Sequence, residues 1–155
     1  MFDHNIARDF ANWAVRVEQP LVYPALATSS HEVGAYDAAA DALAAPAGTS
    51  GALHYGPYQR LEGGRYQVSF NIETQGAGVT DFGRVDIVAA GGQRVFAVQQ
   101  IKAEGAQRIT LPLAFDGLVR DLEFRVVTSG AGKFMLRNIE LTKMQPDRDL
   151  TSKVK

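Results

Sequence analysis

Leu53–Glu73 reads LHYGPYQRLEGGRYQVSFNIE. Its second half alternates without a fault. Tyr66, Val68, Phe70 and Ile72 fall on one side, and Arg65, Gln67, Ser69, Asn71 and Glu73 on the other. Successive side chains of a β-strand point to opposite faces, so this is a strand with one buried and one solvated face. Upstream, Gly56-Pro57 marks a turn that sends Tyr55 and Tyr58 into different environments. Gly63-Gly64 supplies the backbone freedom for a turn into Arg65–Glu73.

The period of two continues downstream. Val85 and Ile87 alternate with Arg84 and Asp86, and AAGGQR (89–94) places Gly91-Gly92 as a two-residue hairpin signal before RVFAVQQI (94–101). Ile109, Leu111, Leu113 and Phe115 alternate next, with Pro112 on their outer face, which suits an edge or non-bonded position. Leu122, Phe124 and Val126 alternate with Asp121, Glu123 and Arg125. In KFMLRNIELTKM (133–144) Phe134 and Leu136 are in one phase and Ile139 and Leu141 in the other, which predicts a β-bulge near Arg137-Asn138. With Leu53–Tyr58 and a segment near His31–Tyr36, about eight strands recur at the spacing of a β-sandwich. Nothing resembles βαβ alternation, so the predicted fold is an all-β, antiparallel β-sandwich.

Two segments break the pattern. Phe2, Ile6, Phe10, Trp13 and Val17 are spaced by four, four, three and four, an amphipathic helix that Pro20 ends. That stripe, with the chain's single Trp, either closes the sandwich's own core or meets a partner subunit or domain. AYDAAADALAAPAGTSG (35–51) is Ala-rich; Ala38–Ala45 reads as a short helix or as a surface loop, stopped by Pro46 and Gly48. The predicted organisation is a helix over 1–20, a sandwich over 21–144 and a polar tail over 145–155.

With 155 residues, 46% of them hydrophobic and 21% charged, the chain has the make-up of one soluble domain with a real core. A net charge of −1 offers no footprint for nucleic acid or an anionic membrane. No run approaches the roughly 20 apolar residues of a membrane span. The first residues lack the apolar core of a signal peptide, leaving the compartment open and cytoplasmic by default. The absence of cysteine excludes disulfides and thiolate metal sites.

No catalytic constellation is visible. His4, His31 and His54 show no metal-binding spacing, and Ser29-Ser30-His31 on a strand would point to opposite faces. The glycines form neither a dinucleotide fingerprint nor a P-loop; the GAG runs at 76–78 and 130–132 read as turns. No enzyme activity is expected. The one cofactor left open is a structural Ca²⁺ held by loop carboxylates, with Asp81, Asp116 and Asp121 as candidate ligands, each otherwise a turn or cap residue.

GALHYGPYQRLEGGRYQVSF (51–70), followed by LEFRVVTSGAGKFMLRNIELTK (122–143), resembles small bacterial domains of the galactose-binding-like, carbohydrate-binding-module type. The resemblance covers about Gly51 to Lys143. It implies a jelly-roll sandwich without catalytic activity that binds a glycan, and such modules occur with proteins that make surface polysaccharides. The alternative is an assembly module that joins subunits or docks a catalytic partner through Phe2–Val17.

Sugars are held by an aromatic ring under their apolar face and planar polar groups at their hydroxyls. The ligand-contact candidates are His54, Tyr55 and Tyr58 by the Gly-Pro turn. Along an outer strand face they are Arg84, Asp86, Gln99, Gln100, Glu123 and Arg125. The competing expectation is core burial for the two tyrosines and ordinary cross-strand ion pairing for the charged residues.

Overall fold

The computed structural model describes residues 20–144. The helix expected over Phe2–Val17 and the polar tail lie outside the described residues. Nine strands follow one another: β1 (Leu21–Pro24), β2 (Ala35–Asp37), β3 (Ala42–Ala45), β4 (Gly51–His54), β5 (Pro57–Gln75), β6 (Gly83–Ala89), β7 (Arg94–Ile101), β8 (Gly105–Thr128) and β9 (Lys133–Lys143). All pairings are antiparallel.

The strands form one continuous hydrogen-bonded network folded into two layers. β5 and β8, of 19 and 24 residues, pair along most of their length and pass together from one layer to the other. In the first layer the later half of β5 lies between β9 and the earlier half of β8; β1 and β3 share the far side of β9. In the second layer the later half of β8 is bordered by β6 and then β7. Its other border holds β4 and the start of β5, end to end. β4 and β5 are thus one interrupted strand along β8, and Gly56 marks the interruption: its carbonyl accepts the Phe124 N–H at 2.7 Å. The expected turn at Gly56-Pro57 is a jog in a strand.

Gly63-Gly64 differs from expectation in the same way. These residues lie inside β5, where it bends between layers. Glu62 pairs with Leu118 and Gly64 with Phe115, so Gly63 faces Asp116 and Gly117 together. A Cβ on Gly63 would lie 2.6 Å from the Gly117 nitrogen and 2.8 Å from its oxygen, and Gly117 has φ +75°. Two backbones meet there with no room for a side chain.

The alternating apolar residues converge as predicted. Val68, Phe70 and Ile72 of β5, Val85 and Ile87 of β6, Leu122, Phe124 and Val126 of β8, and Phe134, Leu136, Ile139 and Leu141 of β9 form one buried cluster. Rings clasp the layers: Phe96 against Phe115 at 5.7 Å and Tyr23 against Phe124 at 5.6 Å. The predicted bulge is present: Asn71 pairs with Asn138 and Ile72 with Leu136, leaving Arg137 as the extra residue. Pro112 lies on the earlier half of β8, which among the described residues pairs with β5 and no other strand.

The short strands also depart from the sequence reading: β1 has no counterpart in it, and the strand expected near His31–Tyr36 is β2, confined to Ala35–Asp37. Ala38–Ala45 is neither helix nor loop throughout: Asp37 Oδ1 accepts the Ala39 and Ala40 N–H groups, closing a turn. β3 then enters the core with Ala42, Leu43 and Ala45 fully buried. Packing against β9 overrides the weak strand preference of alanine. The β6–β7 hairpin forms, but its loop holds Ala90–Gln93, because Ala89 pairs with Arg94 and the Gln93 N–H closes on Ala90 O.

The corner at Gly63 is testable. Gly63→Ala is expected to lower unfolding free energy by about 1–3 kcal/mol, through strain of the overpacking type. Urea denaturation of the variant against the parent checks it.

Candidate functional site

The outer face of the second layer brings three of the sequence candidates together. Arg125 donates to both carboxylate oxygens of Asp86, at 2.8 and 2.9 Å, and Arg84 Nε donates at 3.1 Å. Asp86 is 2% exposed, although Arg84 and Arg125 keep 39% and 24% of their side chains in solvent. The bond to Asp86 holds the Arg125 guanidinium above its usual range. The cluster uses the carboxylate from two sides, which makes it a cross-strand tie between β6 and β8. Gln99 and Gln100 are exposed on β7, which pairs with β6.

The outer face of the first layer is likewise interlocked. Asn71 Nδ2 donates to Asn138 and Glu140, Arg108 pairs with Glu140, and Arg137 donates to Glu73 at 2.8 Å. The outward positions of β5, β8 and β9 on this face carry no aromatic ring.

His54, Tyr55 and Tyr58 do come together, at the interruption between β4 and β5. Loop 25–34 forms the facing wall: Ala52 O accepts the Glu32 and Val33 N–H groups, and the Tyr55 N–H donates to Ser30 O at 3.0 Å. A cleft of about 320 Å³ opens here, lined among others by Tyr23, Leu26, Ser30, His54, Tyr55 and Tyr58. Tyr23 is anchored by its hydroxyl donating to Gln59 Oε1 at 2.6 Å, which ties the two layers. Burial raises the Tyr23 phenol well above its usual range.

The expectation of core burial fails for both other tyrosines. Tyr55 is half-buried and Tyr58 is 52% exposed. Tyr58 has φ +63°, a region that side-chain-bearing residues enter at a cost. Its ring stands between the first cleft and a second one of about 410 Å³, lined by Pro57, Tyr58, Gln59, Arg60 and Arg120. The carboxylate of Glu123, 6% exposed, keeps the Tyr58 phenol above its ordinary range and accepts the Gly56 N–H at 3.4 Å.

His54 is 7% exposed at the floor of the first cleft. Its Nδ1 lies 2.7 Å from Phe124 O, so this nitrogen carries the proton. Burial lowers the His54 pKa, against the opposing effect of the Phe124 carbonyl and with a smaller push from His31.

Arg60 and Arg120 were missed by sequence reading. The signal was present in the alternation: Leu61 shares its side with Gln59, which leaves Tyr58, Arg60 and Glu62 on the other. Two irregularities in the β5–β8 register then set Arg60 opposite Arg120-Asp121, and no periodicity announces them.

The remaining candidates have local roles. His31 Nδ1 bonds to the Ser29 carbonyl, and Ser29 Oγ accepts the Leu26 N–H, so this serine and histidine shape a turn. Asp81 accepts the Gly83 N–H and Asp121 the Ala90 N–H. Among the described residues no three carboxylates or imidazoles gather in one place.

No family model and no curated protein sequence matches the chain. Among solved structures it is similar to the CBM22-1 xylan-binding domain from Paenibacillus barcinonensis Xyn10C (11% identity, TM-score 0.49, 86% of this chain and 100% of that one). It is also similar to a CBM4 structure (13%, TM-score 0.48, 86% and 99%). A third is the carbohydrate-binding module CBM6cm-2 of Cellvibrio mixtus lichenase 5A in complex with cellotriose (16%, TM-score 0.39, 87% and 95%). The two-layer arrangement described above stands on the chain's own hydrogen bonding.

Two outcomes follow from the side-chain chemistry. Asp86→Ala removes the carboxylate that Arg84 and Arg125 share; it is expected to cost roughly 2–3 kcal/mol in urea unfolding, less than a fully buried pair because both arginines reach solvent. His54 has a depressed folded-state pKa, so its contribution is fully present above its unfolded value near 6.5 and is lost as pH falls through the lower folded value. Unfolding free energy is therefore expected to decline as pH drops from 7 towards 5, and His54→Gln to flatten that slope.

Proposed function

We propose that this chain is a non-catalytic module that binds a carbohydrate across the ring of Tyr58. The observation carrying this reading is an exposed aromatic side chain held on a positive-φ backbone between two clefts. Neither core packing nor strand geometry calls for a large ring at that position. A residue kept in a costly conformation with its side chain outside the core is characteristic of a site where position matters more than stability.

The surroundings suit a sugar. An exposed phenol ring offers a flat apolar surface for a pyranose face, and its hydroxyl is a donor and acceptor at the edge. Tyr55 and the neutral His54 stand in the adjoining cleft. Both clefts have the size of ordinary small-ligand sites, of the order of 300–1,000 Å³. The strands β4, β5 and β8 beside the clefts are hydrogen-bonded to one another, so little ordering is needed on binding. The Arg84–Asp86–Arg125 cluster belongs to the scaffold in this reading.

The test separates stability from binding. Tyr58→Gly removes the backbone cost and is expected to stabilise the fold by about 0.5–1 kcal/mol. The same variant is expected to lose retardation in affinity gels containing soluble polysaccharides. A Tyr58→Gly protein that retains full binding overturns the assignment of this ring.

A further inference from the structure

The second cleft carries a charge pattern that neutral sugar recognition does not need. Resting on the glycan-binding reading, we infer that the ligand is an acidic saccharide, its anionic group received by Arg60 and Arg120. Gln59 pairs with Leu122 and Leu61 with Val119, so the single residue Arg60 is opposed by Arg120 and Asp121. Both arginines line the cleft beside Tyr58. Like charges set opposite each other on neighbouring strands repel, and proteins ordinarily place a carboxylate between them.

Asp121 stands beside Arg120, yet no carboxylate among the described residues forms an ion pair with either arginine. Among the described residues, the ion pairs are Asp86 with Arg84 and Arg125, Glu140 with Arg108, and Glu73 with Arg137; Arg60 and Arg120 enter none of them. The nearby carboxylates are engaged elsewhere: Asp121 accepts the Ala90 N–H, and Glu123 takes the Gly56 N–H and adds its field to Arg125. The Nε of Arg60 is buried from water with no hydrogen-bond acceptor. A part-buried guanidinium without a partner, facing a second guanidinium across a cleft, is complementary to an anion. A planar carboxylate on a sugar ring matches a guanidinium fork through two parallel hydrogen bonds. The same sugar's apolar face is then free to lie on Tyr58. A sulfate ester presents the same charge with different geometry.

The experiment is isothermal titration calorimetry of the full chain against a panel of uronate polysaccharides: polygalacturonate, alginate and glucuronoxylan. Each is paired with its carboxyl-reduced, neutral counterpart, and dextran sulfate serves as the sulfate arm. At least one acidic member is expected to bind about tenfold or more tighter than its reduced partner, with affinity falling as salt rises. Arg60→Ala and Arg120→Ala are each expected to weaken that binding about tenfold, the scale of a lost charge-assisted hydrogen bond, with circular dichroism unchanged. Binding of dextran sulfate at equal strength assigns recognition to charge alone, and its failure assigns it to the planar carboxylate. Equal affinity for acidic and reduced members, abolished by Tyr58→Ala, overturns the acidic-ligand inference and leaves glycan binding standing. Silence towards every member overturns both.

Discussion

Every other feature depends on the close passage of two backbones at Gly63 and Gly117. β5 and β8 are longer than a single sheet layer accommodates, and they remain paired while bending together from one layer into the other. A Cβ on Gly63 would strike the Gly117 backbone, and Gly117 itself takes a positive φ of +75°. The bend sets the distance between the layers, brings Phe115 against Phe96 and Phe124 against Tyr23, and closes the core. It also decides where irregularity falls. On the second-layer side of the bend the β5–β8 ladder is repeatedly out of step; on the first-layer side it runs unbroken from Gly64 to Thr74. The regular half provides scaffold. The irregular half turns side chains out of phase and supplies the candidate site.

This division explains why the two outer faces differ. On the first layer, outward polar side chains pair with their cross-strand neighbours, as Asn71, Asn138, Glu140 and Arg108 do. Where the β5–β8 ladder is irregular, Tyr58 takes up a left-handed conformation, and Arg60 and Arg120 line one cleft with neither in an ion pair among the described residues. Violations of local preference gathered in one place mark a site whose geometry answers to something other than folding. An acidic glycan accounts for the exposed ring and the unpaired cations together.

Much of the fold was legible in the sequence. Tyr66 to Ile72, Ile109 to Phe115 and Leu122 to Val126 alternate cleanly because each strand has one wet face, and the structure buries the faces the alternation marks. Even the bulge at Arg137 was written as a change of phase. The Ala-rich segment was not legible, since Ala42, Leu43 and Ala45 are buried in succession and leave no alternation to read. The Asp37 turn before it offered the better clue. In the candidate site, His54, Tyr55 and Tyr58 were identified as a group from the Gly-Pro stretch. Arg84, Asp86 and Arg125 show the limit of the method. Three polar residues on a strand face look alike whether they await a ligand or bind one another, and only register distinguishes the cases. Arg60 and Arg120, sixty positions apart in the chain, required that register too.

The central claim is that the irregular half of the β5–β8 ladder, around Tyr58, is the binding surface. The most direct measurement is a ¹H–¹⁵N correlation spectrum recorded during titration with oligosaccharides from the acidic polysaccharides. The account predicts that shift changes cluster on Tyr55, Tyr58, Gln59, Arg60 and Arg120 and spare the first layer. Changes centred on Asn71, Arg108 and Glu140 would contradict it and move the site to the regular face.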